Sequence, residues 1–248
     1  LETGKVRKEI LVLAKSRKHG GYCVAGLEVV TLPDGHKRIT HNWVRPVLLE
    51  SDGGATGALP KAWCDSFRVL DCIVMDVKGL APDAVQQENW LLVRAPVKGD
   101  YSLSQVAWLD GVAANDDLWR DAASHRDDRI GALCAQSAGR SLVLIQPQSL
   151  QFQLKLSNTP YGIKKRVLAS FVHNGRAYQN ISVTDPALDR VFFRQFPKEL
   201  GVIFTKTLFH SDNYFLTLSL SPRFFDGYHY MIGAAVIDRT GYLNRTYA

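Results

Sequence analysis

No apolar run in this 248-residue sequence approaches the ~20 residues that a helix needs to cross a bilayer. A helical membrane span is therefore excluded. The chain opens on Leu1-Glu2-Thr3-Gly4, with no Met and no apolar signal core, and this reads as a trimmed end. Cysteine is scarce: Cys23, Cys64, Cys72 and Cys134. None stands in a C-x-x-C pair, so neither a zinc site nor a disulfide framework is indicated. Buried free thiols are expected, and with them a reducing, cytoplasmic setting. No metal and no cofactor is expected.

Catalytic signatures are lacking as well. The sequence has no G-x-S-x-G elbow, no H-E-x-x-H and no H-x-E with a following P-C-x-x-C. The loop at Ser51-Asp-Gly-Gly-Ala-Thr-Gly57 lacks the Lys and Ser/Thr of a phosphate loop. Asp71 and Asp76 share a strand but stand five apart, on opposite faces. Asp116, Asp117, Asp121, Asp127 and Asp128 read as one exposed acidic helix face. A binding protein is expected before an enzyme, and no catalytic residue is assigned.

What is present is a chain with enough apolar residues for a core (46%) and an uneven distribution of charge around a net +6. Residues 1–48 carry nine basic and four acidic side chains. Residues 49–154 carry nine and fourteen, and residues 155–206 carry nine and three. Two basic blocks thus flank an acidic middle. That pattern suits a polyanionic partner, or equally a surface in which the blocks neutralise one another.

β-Branched and aromatic runs mark strands at Glu9–Ala14, Tyr22–Val30, Ile39–Leu49, Val69–Val77 and Trp90–Ala95, with turn residues between them. Five such strands suggest a small barrel, because closing a sheet removes its edges; a sandwich is the alternative. From Asn115-Asp-Asp117 the spacing of Leu118, Trp119, Ala122, Ile130, Leu133 and Cys134 predicts a helix ending at Gly139. Strands resume at Ser141–Gln146 and Leu150–Leu156. Val167–His173 and Ala177–Val183 flank Asn174-Gly175, a strong hairpin signal. Thr184-Asp185-Pro186 reads as a helix start, with Asp185 a cap rather than an acid catalyst. Tyr214–Leu220 and Tyr228–Asp238 complete the second set. The expected fold is mostly β: a first OB-like barrel over 5–98, a helical connector over 99–139 and a second OB-like barrel over 140–248.

Particular stretches add to this reading. They are Ser16-Arg-Lys-His-Gly-Gly-Tyr-Cys-Val-Ala-Gly26, Asn42-Trp-Val-Arg-Pro46, Gly162-Ile-Lys-Lys-Arg166, Ala169-Ser-Phe-Val-His-Asn-Gly175, Ser182-Val-Thr-Asp-Pro186 and Gly227-Tyr-His-Tyr230. Together they resemble the dual OB-containing domain family of bacteria, over most of the chain. The resemblance implies two OB-like barrels and an association with nucleic-acid processing or prokaryotic conflict systems.

Candidate contacts follow from residue type. Arg17 and Lys18, with His19, precede two glycines, which suits phosphate binding or a tight basic turn. Trp43 and Arg45 share one strand face, as base stacking with phosphate contact would require; alternatively Arg45 lies over Trp43 or pairs with a carboxylate. Tyr161, Lys164, Lys165, Arg166 and Arg176 form the densest basic cluster with aromatics nearby. His173 and His229 are expected at or near the surface. The expected partner is single-stranded DNA or RNA, with a protein-interaction scaffold or a nucleotide sensor between the barrels as alternatives.

Overall fold

The run Ile10-Leu-Val-Leu13 is apolar at every position rather than at alternate ones. Such a strand has both faces covered, and in the computed structural model all four side chains are fully buried. The model describes residues 4–18, 20–50, 54–102, 106–119, 126–160, 162–192, 194–207 and 213–247.

The run lies in β1 (Val6–Lys18), followed by β2 (Gly21–Thr31), β3 (Lys37–Leu49), β4 (Ala55–Thr56), β5 (Asp71–Leu80), β6 (Asn89–Leu92) and β7 (Val97–Ser102). The strand order is β1-β2-β3-β6-β5, and β5 pairs back onto β1, so five strands close a barrel. β3 and β6 are parallel and the other pairs antiparallel. Gly26 sits where β2 crosses β1: a Cβ there would fall 1.9 Å from the Leu11 carbonyl oxygen.

The second half repeats this order. Its strands are β8 (Arg129–Gly131), β9 (Leu142–Ile145), β10 (Ser149–Thr159), β11 (Gly162–His173), β12 (Arg176–Val183), β13 (Ile203–Thr207), β14 (Tyr214–Leu220) and β15 (Tyr228–Asp238). The path runs β10-β11-β12-β15-β14-β9, with β12 and β15 parallel. β9 and β10 act as one first strand broken at Pro147, which has no N–H for a ladder. The break brings the two ends of the path together through three residues. β13 extends the sheet beside β10, and β8 pairs with the start of β15.

Helices are short: α1 (Lys61–Cys64), α2 (Ala132–Ser137), α3 (Pro186–Val191) and α4 (Tyr242–Tyr247). The helix expected from Asn115 does not form over 115–119, and residues 120–125 lie outside the described set. Leu118, Trp119 and Ile130 are instead buried in the second barrel's core from irregular and strand backbone. Leu133, counted in the same periodicity, is 82% exposed. Among the described residues of that stretch only α2 is helical, and it stops before Gly139, whose φ is +65°. Asp121 lies outside the described residues; of the others, Asp116 pairs with Arg140, Asp127 with Arg176, and Asp128 with Arg126 and Arg129, and none of the described four stands on a helix.

The Asn174-Gly175 turn forms as expected, both residues at positive φ, and Phe171 stacks on Tyr178 at 5.2 Å. His173 is buried, contrary to expectation, because its Nε2 bonds the Asp116 carbonyl at 2.9 Å as the connector folds over the hairpin. His229 is buried likewise, with Nδ1 2.9 Å from the Ser221 carbonyl. All four cysteines are free; Cys64 and Cys72 are buried, and burial pushes Cys72 up to about 12. Among the described residues no helix is long and apolar enough to cross a membrane.

The barrels share a core. Leu144, Phe215, Ala235 and Ile237 of the second half pack into the first barrel's cluster. Thr217 Oγ1 donates to the Leu13 carbonyl (2.6 Å), and Arg17 N donates to the Thr184 carbonyl (2.9 Å). At the centre of this seam Arg45, 1% exposed, pairs with Glu88 at 2.9 Å and donates to Ser141 Oγ (3.0 Å) and Ser219 Oγ (3.1 Å). Ser141 donates in turn to Glu88.

Glu88→Ala would leave the Arg45 charge buried without its counter-ion. The expected loss is about 3–5 kcal/mol of unfolding free energy, read from urea denaturation. A loss below about 1 kcal/mol would show that the pair does not hold the seam.

Asp185 caps α3, accepting N–H bonds from Ala187 and Val236, each at 2.8 Å. Complete burial nevertheless pushes its carboxyl up to about 7 from 3.8. Between these values the folded chain holds a proton that the unfolded chain has released, so this group's contribution to stability falls as pH rises through that window. In urea titrations from pH 5 to pH 8, wild type should therefore lose stability relative to Asp185→Asn. A gap independent of pH would show that the carboxylate stays ionised in the fold.

Candidate nucleic-acid interface

The second barrel presents one outer face across four strands. Lys155 on β10 stands directly opposite Arg166 on β11, Leu168 opposite Ser182 on β12, and Ser182 beside Ile232 on β15. Like charges placed opposite each other destabilise a sheet, and no carboxylate among the described residues forms an ion pair with Lys155 or Arg166. These side chains floor a groove of about 670 Å³, with Arg126, Arg129, Asn180 and Tyr230 along its wall.

One end of that groove is the loop between β14 and β15. Asp226 and Gly227 close a turn in which Phe224 N donates to the Tyr228 carbonyl and Gly227 N to the Phe224 carbonyl, both at 2.9 Å. Gly227 takes φ +87°, a conformation that favours glycine. Tyr230 donates its hydroxyl to Asp226 Oδ2 at 2.6 Å. That bond lifts the Tyr230 phenol and holds the Asp226 carboxyl below its usual range. Arg129 lies over the Tyr230 ring at 4.4 Å, and Phe224 meets the same ring edge-on at 5.0 Å. The loop is thus pinned at its base, while Phe225 at its tip is fully exposed.

Behind this loop lies a second groove of about 560 Å³, where the two barrels meet. It is lined by Arg17 and Lys18 from the end of β1, Gln86 from the β5–β6 connection, and Arg223 from the Phe loop. Phe224, Phe225 and Ile232 line both grooves, so the two adjoin at this loop. In OB-type barrels the strand 2–3 face and the loops joining strands 1–2 and 4–5 hold oligonucleotides. Here the first groove lies on that face of the second barrel. The junction groove is built from the end of β1, the β5–β6 connection and the β14–β15 loop.

The structure brings Arg17, Lys18 and Arg166 onto this path. Arg17 is half-exposed and paired with Asp189. Lys164 shares the face of Arg166 by strand alternation, opposite Ser157 of the groove floor. Lys165 points the other way, over the Phe196 ring at 5.1 Å. Arg176 pairs with Asp127 and lies over Tyr178, lining neither groove. Arg45 borders the junction groove, but its guanidinium is held in the seam by Glu88, the carboxylate pairing that its sequence left open. Trp43 is half-buried against the core, because its strand face turns inward. Tyr161 lies outside the described residues.

Sequence reasoning missed Lys155, Arg223, Phe224 and Phe225. The signal for the last three was Pro222-Arg-Phe-Phe-Asp-Gly227. Pro and Asp-Gly make this a turn, and a turn has no interior in which to bury two phenyl rings.

Comparison with known proteins matches the model of the dual OB-containing domain family to residues 8–236. No curated protein matches. Among solved structures, a deletion mutant of the single-stranded DNA binding protein from Thermus aquaticus aligns at 11% identity, covering 94% of this chain and 93% of that one, with a TM-score of 0.21. A score that low carries no argument about this chain.

Proposed function

The chain belongs to the dual OB-containing domain family, and from that premise we propose that it binds single-stranded nucleic acid, DNA or RNA, along the two adjoining grooves. One observation carries the reading: cations from both basic blocks, Arg17 and Lys18 with Lys155 and Arg166, border grooves that meet at an exposed Phe225. Single-strand binding combines these parts, a positive groove along the backbone and rings on which bases stack. A duplex keeps its bases stacked inside and offers Phe225 nothing to stack on. We propose a prokaryotic conflict system in the cytoplasm as the setting.

A protein-scaffold reading draws on another surface. β13 pairs with β10, and Leu200, Val202, Ile203 and Phe204 beside its outer edge are exposed, a strand that a partner's strand would extend. Partners held there would survive nuclease digestion of a native extract.

Fluorescence anisotropy with labelled single strands tests the main reading. Affinity should fall with rising salt, with a log–log slope of roughly −0.7 per phosphate neutralised. Lys155→Glu combined with Arg166→Glu should weaken binding at least tenfold across sequences, by about 1.4 kcal/mol or more, and flatten that slope. Equal affinity for duplex and single strands, or no binding at low salt, would refute the proposal.

Phe225→Ala removes a ring with no folding role. It should leave the unfolding midpoint unchanged and cost about 1–3 kcal/mol of binding. Its salt slope should match wild type, because no charge is lost. A variant that binds as wild type does would remove stacking from the mechanism.

A further inference from the structure

The two grooves differ in chemistry. The one on the second barrel is an open, cationic strip. The junction groove is a pocket with an apolar wall of Pro222 and Ile232. Arg17, Lys18 and Arg223 stand around it, and Glu50 is the carboxylate at its edge. Gln86 donates its amide N–H to the Leu220 carbonyl at 3.1 Å, which leaves its own carbonyl as an acceptor. The walls also hold two buried polar atoms without a protein partner, Arg45 Nε and Thr184 Oγ1. Unpaired buried polar atoms are rare in folded proteins, and each asks for a cause. At about 560 Å³ the pocket falls within the roughly 300–1,000 Å³ of small-ligand sites.

A ligand that suits all of these features is flat and partly apolar, has donors and acceptors on its edge, and carries an anionic group. We propose that the junction pocket takes one nucleotide. Its base lies on the apolar wall and bonds with Gln86 and Thr184, and its phosphate meets Lys18 and Arg223, the cations there without a carboxylate partner among the described residues. The same chemistry comes from a free mononucleotide or from one unit drawn out of a strand. The second source rests on the strand-binding reading; the first does not. Phe225, shared by both grooves, stacks the neighbouring base at the pocket's mouth.

The test is isothermal titration of the full chain with AMP, CMP, GMP and UMP, run beside a short oligothymidylate. At least one mononucleotide should bind saturably, one per chain, with Kd below about 1 mM. Ala55, an exposed residue of the pocket's rim, allows the pocket to be plugged by Ala55→Trp. That variant and Arg223→Glu should each weaken the mononucleotide about tenfold or more with unchanged unfolding midpoints. Thr184→Val should cost about three- to tenfold in affinity and nothing in stability, since it deletes a hydroxyl that the fold does not pair. Arg166→Glu should weaken the oligonucleotide and leave mononucleotide affinity unchanged. Oligonucleotide binding with no saturable mononucleotide binding would overturn the pocket and leave the groove standing. Mononucleotide binding without oligonucleotide binding would do the reverse. Mononucleotide affinity indifferent to both Ala55→Trp and Arg223→Glu would also overturn the pocket.

Discussion

The buried pair of Arg45 and Glu88 constrains everything else. Both residues belong to the first barrel, yet two of the guanidinium's hydrogen bonds go to Ser141 and Ser219 of the second. A buried ion pair adds little net stability over apolar packing, but a buried charge left short of partners is expensive. Any docking that slides the barrels past each other would strip Arg45 of its serines. The pair therefore selects one orientation more than it strengthens the contact. That orientation sets Arg17 and Lys18 opposite the loop of Phe224 and Phe225, residues two hundred positions away in the chain. The meeting of the two grooves at that loop follows from it.

The sequence carried the fold well because barrel strands leave local marks. Alternation, turn chemistry, the Asn174-Gly175 hairpin and the Asp185-Pro186 helix start all appear where local physics puts them. The helix expected at Asn115 failed because its periodicity combined separate segments: Leu118 and Trp119 fill the core from irregular backbone, and Leu133 faces solvent on a short helix. His173 became buried through a bond to a carbonyl 57 positions away, which no local pattern encodes. The site was legible only in part for the same reason. Clustering along the chain brought together Arg166, which lines the groove of the second barrel, Lys165, whose side chain alternates to the other face, and Arg176, which answers Asp127.

The interface also runs against the folding preferences of the sheet. A sheet selected for stability alone would set a carboxylate opposite Arg166; Lys155 is there instead. A turn selected for solubility would not hold a fully exposed phenyl ring at its tip. Local conflicts with good folding collect at functional sites, where another interaction offsets them. Both conflicts border the adjoining grooves, Lys155 and Arg166 on the floor of the first and Phe225 between the two.

The acidic middle of the chain decides where this positive track lies. Its carboxylates neutralise cations selectively: Asp116 takes Arg140, Asp127 takes Arg176, and Asp128 takes Arg126 and Arg129. Coulomb interactions between exposed charges fade beyond a Debye length of about 8 Å, so a carboxylate silences chiefly the cations it touches. Lys155, Arg166 and Arg223 have no such ion pair among the described residues, and they border the grooves. Arg129 keeps its ring contacts while its charge is offset, so it braces the Phe loop rather than competing for phosphate. Two basic blocks and an acidic insert look self-cancelling when summed along the chain. Folded, the insert neutralises the hairpin, the connector and, through Asp128, the Arg126 and Arg129 wall of the first groove, and it leaves Lys155 and Arg166 on that groove's floor without a carboxylate partner among the described residues.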